Sequence, residues 1–181
     1  MQYKLIKDTN LKMRKKSIPV QLPLSIYDRA TIDFMLEYLK KSQDEEYATK
    51  HNIRAGVGLA AIQIGELKRM FAIYYKDGDK LVQYQLINPE IIESSIELCA
   101  LKDGEGCLSV DKEHKGLVHR HNKIKMKAFD ALTNKDIVIE AEGYDAIVLQ
   151  HEYDHLDGIF FYDRIDKEHP EQAKSNEIII K

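Results

Sequence analysis

A chain of 181 residues is long enough to bury one sizeable core, and 44% hydrophobic against 31% charged residues is the balance of an ordered globular protein rather than a disordered one. The formal net charge of -3 gives no reason to expect non-specific nucleic-acid binding, and no run approaches the roughly eighteen apolar residues of a membrane span. The start, MQYKLIKDTNLKMRKK, has no apolar stretch and does not read as a secretory signal; with only Cys99 and Cys107 there is no disulfide scaffold, so one domain over residues 1–181 in a reducing cytoplasm is expected.

In chain order, the spacing of Ile26, Ala30, Phe34 and Tyr38, widened by Ile32, Met35, Leu36 and Leu39, predicts an amphipathic helix over 25–41. Ser25 suits its N-cap, and Lys40 and Lys41 suit the negative end of its dipole. QDEEYATKHNIRAG is polar and reads as a helix-to-loop excursion. In GVGLAAIQIG, Gly56, Gly58 and Ala61 match a dinucleotide fingerprint, but HNIRA before them is no apolar strand, so the required strand–turn–helix cannot form. The plain reading is a glycine turn into a strand or helix; the isolated amide of Gln63 adds a candidate donor to a developing oxyanion. KRMFAIYY and LVQYQLINP read as strands joined by KDGDK, and IIESSIEL, KIKMKAFD and KDIVIEAEG as three more, the last two joined at TNK. GYDAIVLQHEYDHLDG then changes to helical period and is apolar nearly all round at 146–149, the mark of a buried helix. Strands that precede a buried helix without regular alternation predict an α+β fold.

His151 and His155, four apart, share one helix face, while Glu152 lies about 100° round from His151. That is the H-E-x-x-H arrangement, in which two imidazoles hold a metal and the glutamate serves as general base. A helix with surface histidines and a solvated glutamate is the plain alternative, and the apolar run before His151 argues against it. The third ligand separates functions. Where a metzincin would place a histidine stands Phe161. A zinc endopeptidase would take Glu168, Glu171 or Glu177 from a short charged tail. DGEGCLSV offers the Cys107 thiolate in a glycine-flanked stretch, and two imidazoles, a thiolate and an open position suit catalytic zinc or iron. Cys107 also reads as a small buried hydrophobe, as Cys99 does.

With GVGLAAIQ, EGCLS and QHEYDH in this order, the sequence resembles peptide deformylase, whose motifs G-x-G-x-A-A-x-Q, E-G-C-L-S and Q-H-E-x-D-H are all met at their defining positions. PLSIYDRATIDFMLEYLKKSQD and GIFFYDRID extend the likeness to the longer subclass typical of Gram-positive bacteria. The resemblance implies antiparallel sheets enclosing a central metal-binding helix, with the N-terminal helix packed outside. It implies a cytoplasmic, monomeric hydrolase that releases formate from the formyl-methionine of nascent polypeptides, uses Fe2+ (with Zn2+, Ni2+ or Co2+ able to replace it) and has the ribosome as a further partner. On the matching positions, Cys107, His151 and His155 hold the metal, Glu152 moves the proton, and Gln63 with the Leu108 backbone N–H stabilises the oxyanion. Val57, Gly58 and Gly106 meet the peptide as an added strand, and Ile147 and Val148 line a methionine pocket or belong to the core. Asp154 reads as structural support, and on charge alone Glu105 and Arg120 are expected to form a supporting ion pair beneath the site. Ile62 stands where proline is common, which implies a less rigid loop, and LVHRH and CALKDGEG also depart from the common forms; these changes bear on peptide preference. A non-catalytic module recognising N-termini is the other alternative, and Glu152 argues against it because a structural site needs no base.

Overall fold

The computed structural model describes residues 4–181; residues 1–3, where the predicted domain and the basic N-terminal stretch begin, lie outside the described residues. In chain order the elements are α1 (Ile26–Ser42), α2 (Glu45–His51), β1 (Gly58–Ala60), β2 (Met70–Asp77), β3 (Lys80–Ser94), β4 (Leu98–Leu101), β5 (Arg120–His121), β6 (Lys123–Asp130), β7 (Lys135–Glu142), α3 (Tyr144–Leu156) and β8 (Glu177–Ile180). The order β1-β2-β3-β6-β7 makes a five-stranded antiparallel sheet, and β5-β4-β8 a smaller one.

The large sheet is covered on both faces, which explains why MFAIYY is a continuous apolar run rather than an alternating one. Met70 and Ala72 pack with Leu59 and Ala61 against Ile32, Met35, Leu36 and Leu39 of α1. Phe71, Ile73 and Tyr75 point the other way, to Ala146, Val148, Leu149 and Leu156 of α3. The helix predicted over 25–41 is present, with Ser25 Oγ accepting from Asp28 N at 3.0 Å. Its buried stripe is the second apolar set; Ile26 is 92% exposed.

Two expectations are corrected. LVQYQLINP and IIESSIEL are not two strands: the chain runs unbroken to Ser94 and turns before β4. Pro89 is tolerated because pairing with β6 shifts register between Ile87 and Glu90, where Asn88 takes a φ of 50°. Nor are the sheets wholly antiparallel. The tail forms β8, which pairs parallel with β4, Leu98 opposite Glu177 through Leu101 opposite Ile180.

Helix α3 lies between the sheets. Its Gln150 donates from Nε2 to His121 O (2.8 Å) and accepts at Oε1 from His121 N (3.1 Å), stitching the helix to β5. Among the described residues no helix is long and apolar enough to cross a membrane.

At the start of α1, burial pushes the Asp28 carboxyl up, but hydrogen bonds from Lys68 and Ser25 outweigh it and hold its pKa below the ordinary 3.8. A depressed folded pKa contributes stability that is present above the unfolded value and lost as pH falls through the folded one. Asp28→Asn is therefore expected to cost about 1 kcal/mol at pH 7, with the difference from the parent shrinking below about pH 4 in denaturant titrations.

Candidate metal centre

The helical repeat of α3 places His151 and His155 one turn apart, and the segment after β4 delivers Cys107 to them. One ligand atom from each of Cys107, His151 and His155 lies within 4.8 Å of the others. Cys107 Sγ is 3.3 Å from His155 Nε2. A tetrahedral ion with metal–sulfur and metal–nitrogen bonds of about 2.3 and 2.0 Å would separate such atoms by about 3.5 Å. His151 donates from Nδ1 to Glu105 Oε2 at 2.8 Å, which leaves its Nε2 as the nitrogen available to a metal. Glu152 Oε2 is buried with no hydrogen-bond partner among the described residues. The donor set and the orphaned carboxyl oxygen together fit a divalent cation with a water beside it.

Beneath the histidines lies a buried ion network. Arg120, 2% exposed, donates to Glu105 from Nε (2.5 Å) and Nη2 (2.8 Å) and to Asp154 from Nη1 (2.9 Å). Arg164 adds two bonds to Asp154, each 2.5 Å. Burial alone would raise the Glu105 pKa, but Arg120 overrides it and holds the carboxyl at about 2. Glu105 is thus an ionised acceptor that fixes the His151 tautomer. The Glu105–Arg120 pair expected from charge is present, and Asp154 belongs to the same network. Glu152, by contrast, is pushed up by burial to about 7; a neighbouring cation would pull that value down. Burial drives His155 well below the ordinary histidine value.

A cleft of about 270 Å³ opens above these groups, and Val57, Gly58, Gln63, Gly106, Cys107, Leu108, Ile147, Val148, His151 and Glu152 all line it. His155 sits behind them, 1% exposed. Gln63 Oε1 accepts from Ala60 N (2.8 Å), so its amide nitrogen faces Cys107 Sγ (3.5 Å) and Ser109 Oγ (3.2 Å). Gly58 has to lack a side chain: a Cβ there would lie 2.3 Å from Glu152 Oε1. The Val57 carbonyl accepts from Tyr74 N (2.9 Å), while among the described residues its N–H has no backbone partner. Val148 belongs to the α3-side core as well as the cleft, whereas Ile147 borders the cleft from outside both core clusters. Ile62 is fully buried and packs into the core.

The tail glutamates are elsewhere. Glu177 accepts from His119 at 2.6 Å, and Glu168 and Glu171 are exposed. Phe161, at the position where a third histidine would stand, stacks on the His151 ring at 6.1 Å and 16°. Arg54, Leu101 and Tyr144 also line the cleft. Sequence reasoning missed them, since a lone arginine in a polar stretch carries no periodicity to mark it.

An α+β framework that holds a buried carboxyl over a Cys–His–His cluster, at the floor of a cleft, defines the class of metal-dependent hydrolases. A family model described as polypeptide deformylase matches residues 2–171. A peptide deformylase of Macrococcus caseolyticus is 46% identical over 178 residues, covering 97% of this chain and 96% of that one. One from Staphylococcus epidermidis is 47% identical over 168 residues, covering 92% and 91%. Crystal structures of peptide deformylases from Acinetobacter baumannii (TM-score 0.72, 30% identity, 91% and 99% coverage) and Thermotoga maritima (0.70, 32%, 92% and 99%) share the fold. The chain belongs to the polypeptide deformylase family. It is a hydrolase that removes the formyl group from the N-terminal formyl-methionine of nascent polypeptides, as the sequence motifs implied.

Two substitutions test the geometry. Gly58→Ala forces the Glu152 carboxyl aside and should lower formate release about a hundredfold, with an unchanged circular dichroism spectrum. Arg120→Met leaves the buried Glu105 carboxylate without its arginine, while Asp154 keeps Arg164, and should cost about 3–5 kcal/mol in chemical denaturation.

Proposed function

We propose that Cys107 Sγ, His151 Nε2 and His155 Nε2 hold the catalytic metal and that Glu152 is the proton carrier of the deformylation. The convergence of the three ligand atoms beside a buried, unpartnered Glu152 oxygen carries this reading. A bound divalent cation would supply Lewis acidity, activating water and polarising the formyl carbonyl. Ferrous iron is proposed as the physiological metal, by likeness to the family; a thiolate–bis-imidazole set also accepts Zn2+, Ni2+ or Co2+.

Glu152 takes a proton from the attacking water and hands it to the departing amine. Burial serves this role, because it keeps the carboxyl basic enough to accept a proton near neutral pH. The Gln63 amide nitrogen and the Leu108 N–H donate to the oxyanion of the tetrahedral intermediate, the amide held in place by its bond from Ala60. The peptide lies extended in the cleft, meeting the Val57 N–H beside Gly58 on one wall and the Gly106 backbone on the other. Main-chain pairing gives tolerance of sequence, and Ile147 and Val148 select methionine. The whole chain acts as one catalytic domain, a monomer in the cytoplasm that meets formylated chains as they leave the ribosome.

Cys107→Ala should abolish stoichiometric metal while Glu171→Ala leaves it intact; the reverse pattern in metal analysis would restore the endopeptidase reading. Glu152→Gln should keep metal and peptide affinity but slow formate release by about 10²–10⁴, and turnover at the parent rate would refute the proton-carrier role.

A further inference from the structure

Arg54 lies in the loop before β1, with its side chain 54% exposed, yet its guanidinium is committed to one short stretch of chain. Its Nη2 is 3.0 Å from Cys107 O, 3.0 Å from Leu108 O and 3.1 Å from Val110 O, so two N–H groups are shared among three carbonyls of one turn. Asp111 Oδ1 stands 3.5 Å from the same nitrogen and also accepts from Lys7, which neutralises part of the local charge.

The Cys107–Leu108 peptide is planar and trans, so its carbonyl and its N–H point in opposite directions. Cys107 O accepts from the Val110 N–H within the turn (3.1 Å) as well as from the guanidinium, and holding it there turns the Leu108 N–H away from Arg54. Among the described residues no acceptor meets that N–H. A cation on the carbonyl side also polarises the peptide, which strengthens the N–H as a donor. The chain segments joined this way both line the cleft: the stretch leading into Gly56–Gly58 and the turn that follows Cys107.

We infer that Arg54 is a positioning residue for the reaction, fixing the peptide plane that presents the Leu108 N–H to the oxyanion. This rests on the assignment of that N–H as an oxyanion donor. Arg54 does not touch the reacting atoms; it sets the angle of the group that does. Lysine could satisfy one or two of the three carbonyls but has no planar fork to hold the set.

The test uses the metal-loaded, full-length enzyme with a formyl-methionyl peptide amide, which carries no carboxylate for Arg54 to attract. Removing one oxyanion donor costs about 10²–10³ in kcat. Misaligning it through Arg54→Gln should cost about tenfold to a hundredfold in kcat with KM within about twofold, metal content unchanged, and Arg54→Lys restoring part of the rate. A tetrahedral phosphinate mimic of the hydrated formyl group should weaken by the same factor as kcat/KM falls, while the deformylated product binds as before. A raised KM at constant kcat would make Arg54 a peptide contact, and loss of metal would make it a support for Cys107; either result overturns the inference. Replacing Leu108 by its α-hydroxy acid, which exchanges the N–H for an ester oxygen, separates the two readings. Full activity in the ester removes Leu108 from the oxyanion hole itself. A slow ester alongside an unimpaired Arg54→Gln enzyme removes Arg54 alone.

Discussion

The structure turns on a guanidinium that water does not reach. Burying an ion costs several kcal/mol unless opposite charges and hydrogen bonds surround it, and Arg120 meets that demand with Glu105 on one side and Asp154 on the other. Glu105 belongs to the segment that leads to Cys107, Asp154 to α3, and Arg120 itself to β5. Satisfying one buried charge therefore locks three separate pieces of chain into mutual register. Arg164 closes the network by covering the second face of Asp154, so that two cations balance two carboxylates. His151 inherits its orientation from this arrangement, because the carboxylate that receives its Nδ1 proton is the one that Arg120 holds. The metal-facing nitrogen is set from below, before any ligand arrives.

Much of this was legible in the sequence wherever a pattern repeats. The stripe of α1, the paired strands β2–β3 and β6–β7, and the change of period into α3 all follow from local periodicity. The three spaced motifs located the candidate ligands although more than forty residues separate Cys107 from His151. Features that depend on distant partners were not legible. The stripe of α1 that is buried could not be told from its neighbour, because Ile26 and Ile32 are equally apolar and only the sheet decides which one it covers. Pro89 reads as a strand stop, yet a register shift absorbs it. EIII is too short to announce a strand, and its parallel partner β4 lies some eighty residues upstream. Arg54 looked like one more charge in a polar excursion, since its three carbonyl partners belong to a turn far along the chain.

The two histidines also show how identical side chains diverge on one helix. His151 has Glu105 behind it and Phe161 stacked on it, whereas His155 is enclosed among groups that leave its Nδ1 without a partner. Different surroundings leave each with a defined nitrogen turned toward Cys107. Burial acts on Glu152 in the opposite sense, raising its proton affinity instead of suppressing it. One dry pocket thus keeps an imidazole neutral and a carboxyl basic, because in both cases it penalises the charged form.

Gly58 has a consequence for how such an enzyme can change over generations. The backbone of β1 presses against the Glu152 carboxyl so closely that no side chain fits between them. A mutation at this position aimed at the grip on a peptide would also displace the Glu152 carboxyl. That position is closed to innovation, and altered preference has to come from other stretches that border the cleft. CALKDGEG reaches the cleft through Leu101 and Glu105, and LVHRH supports Glu105 from beneath through Arg120.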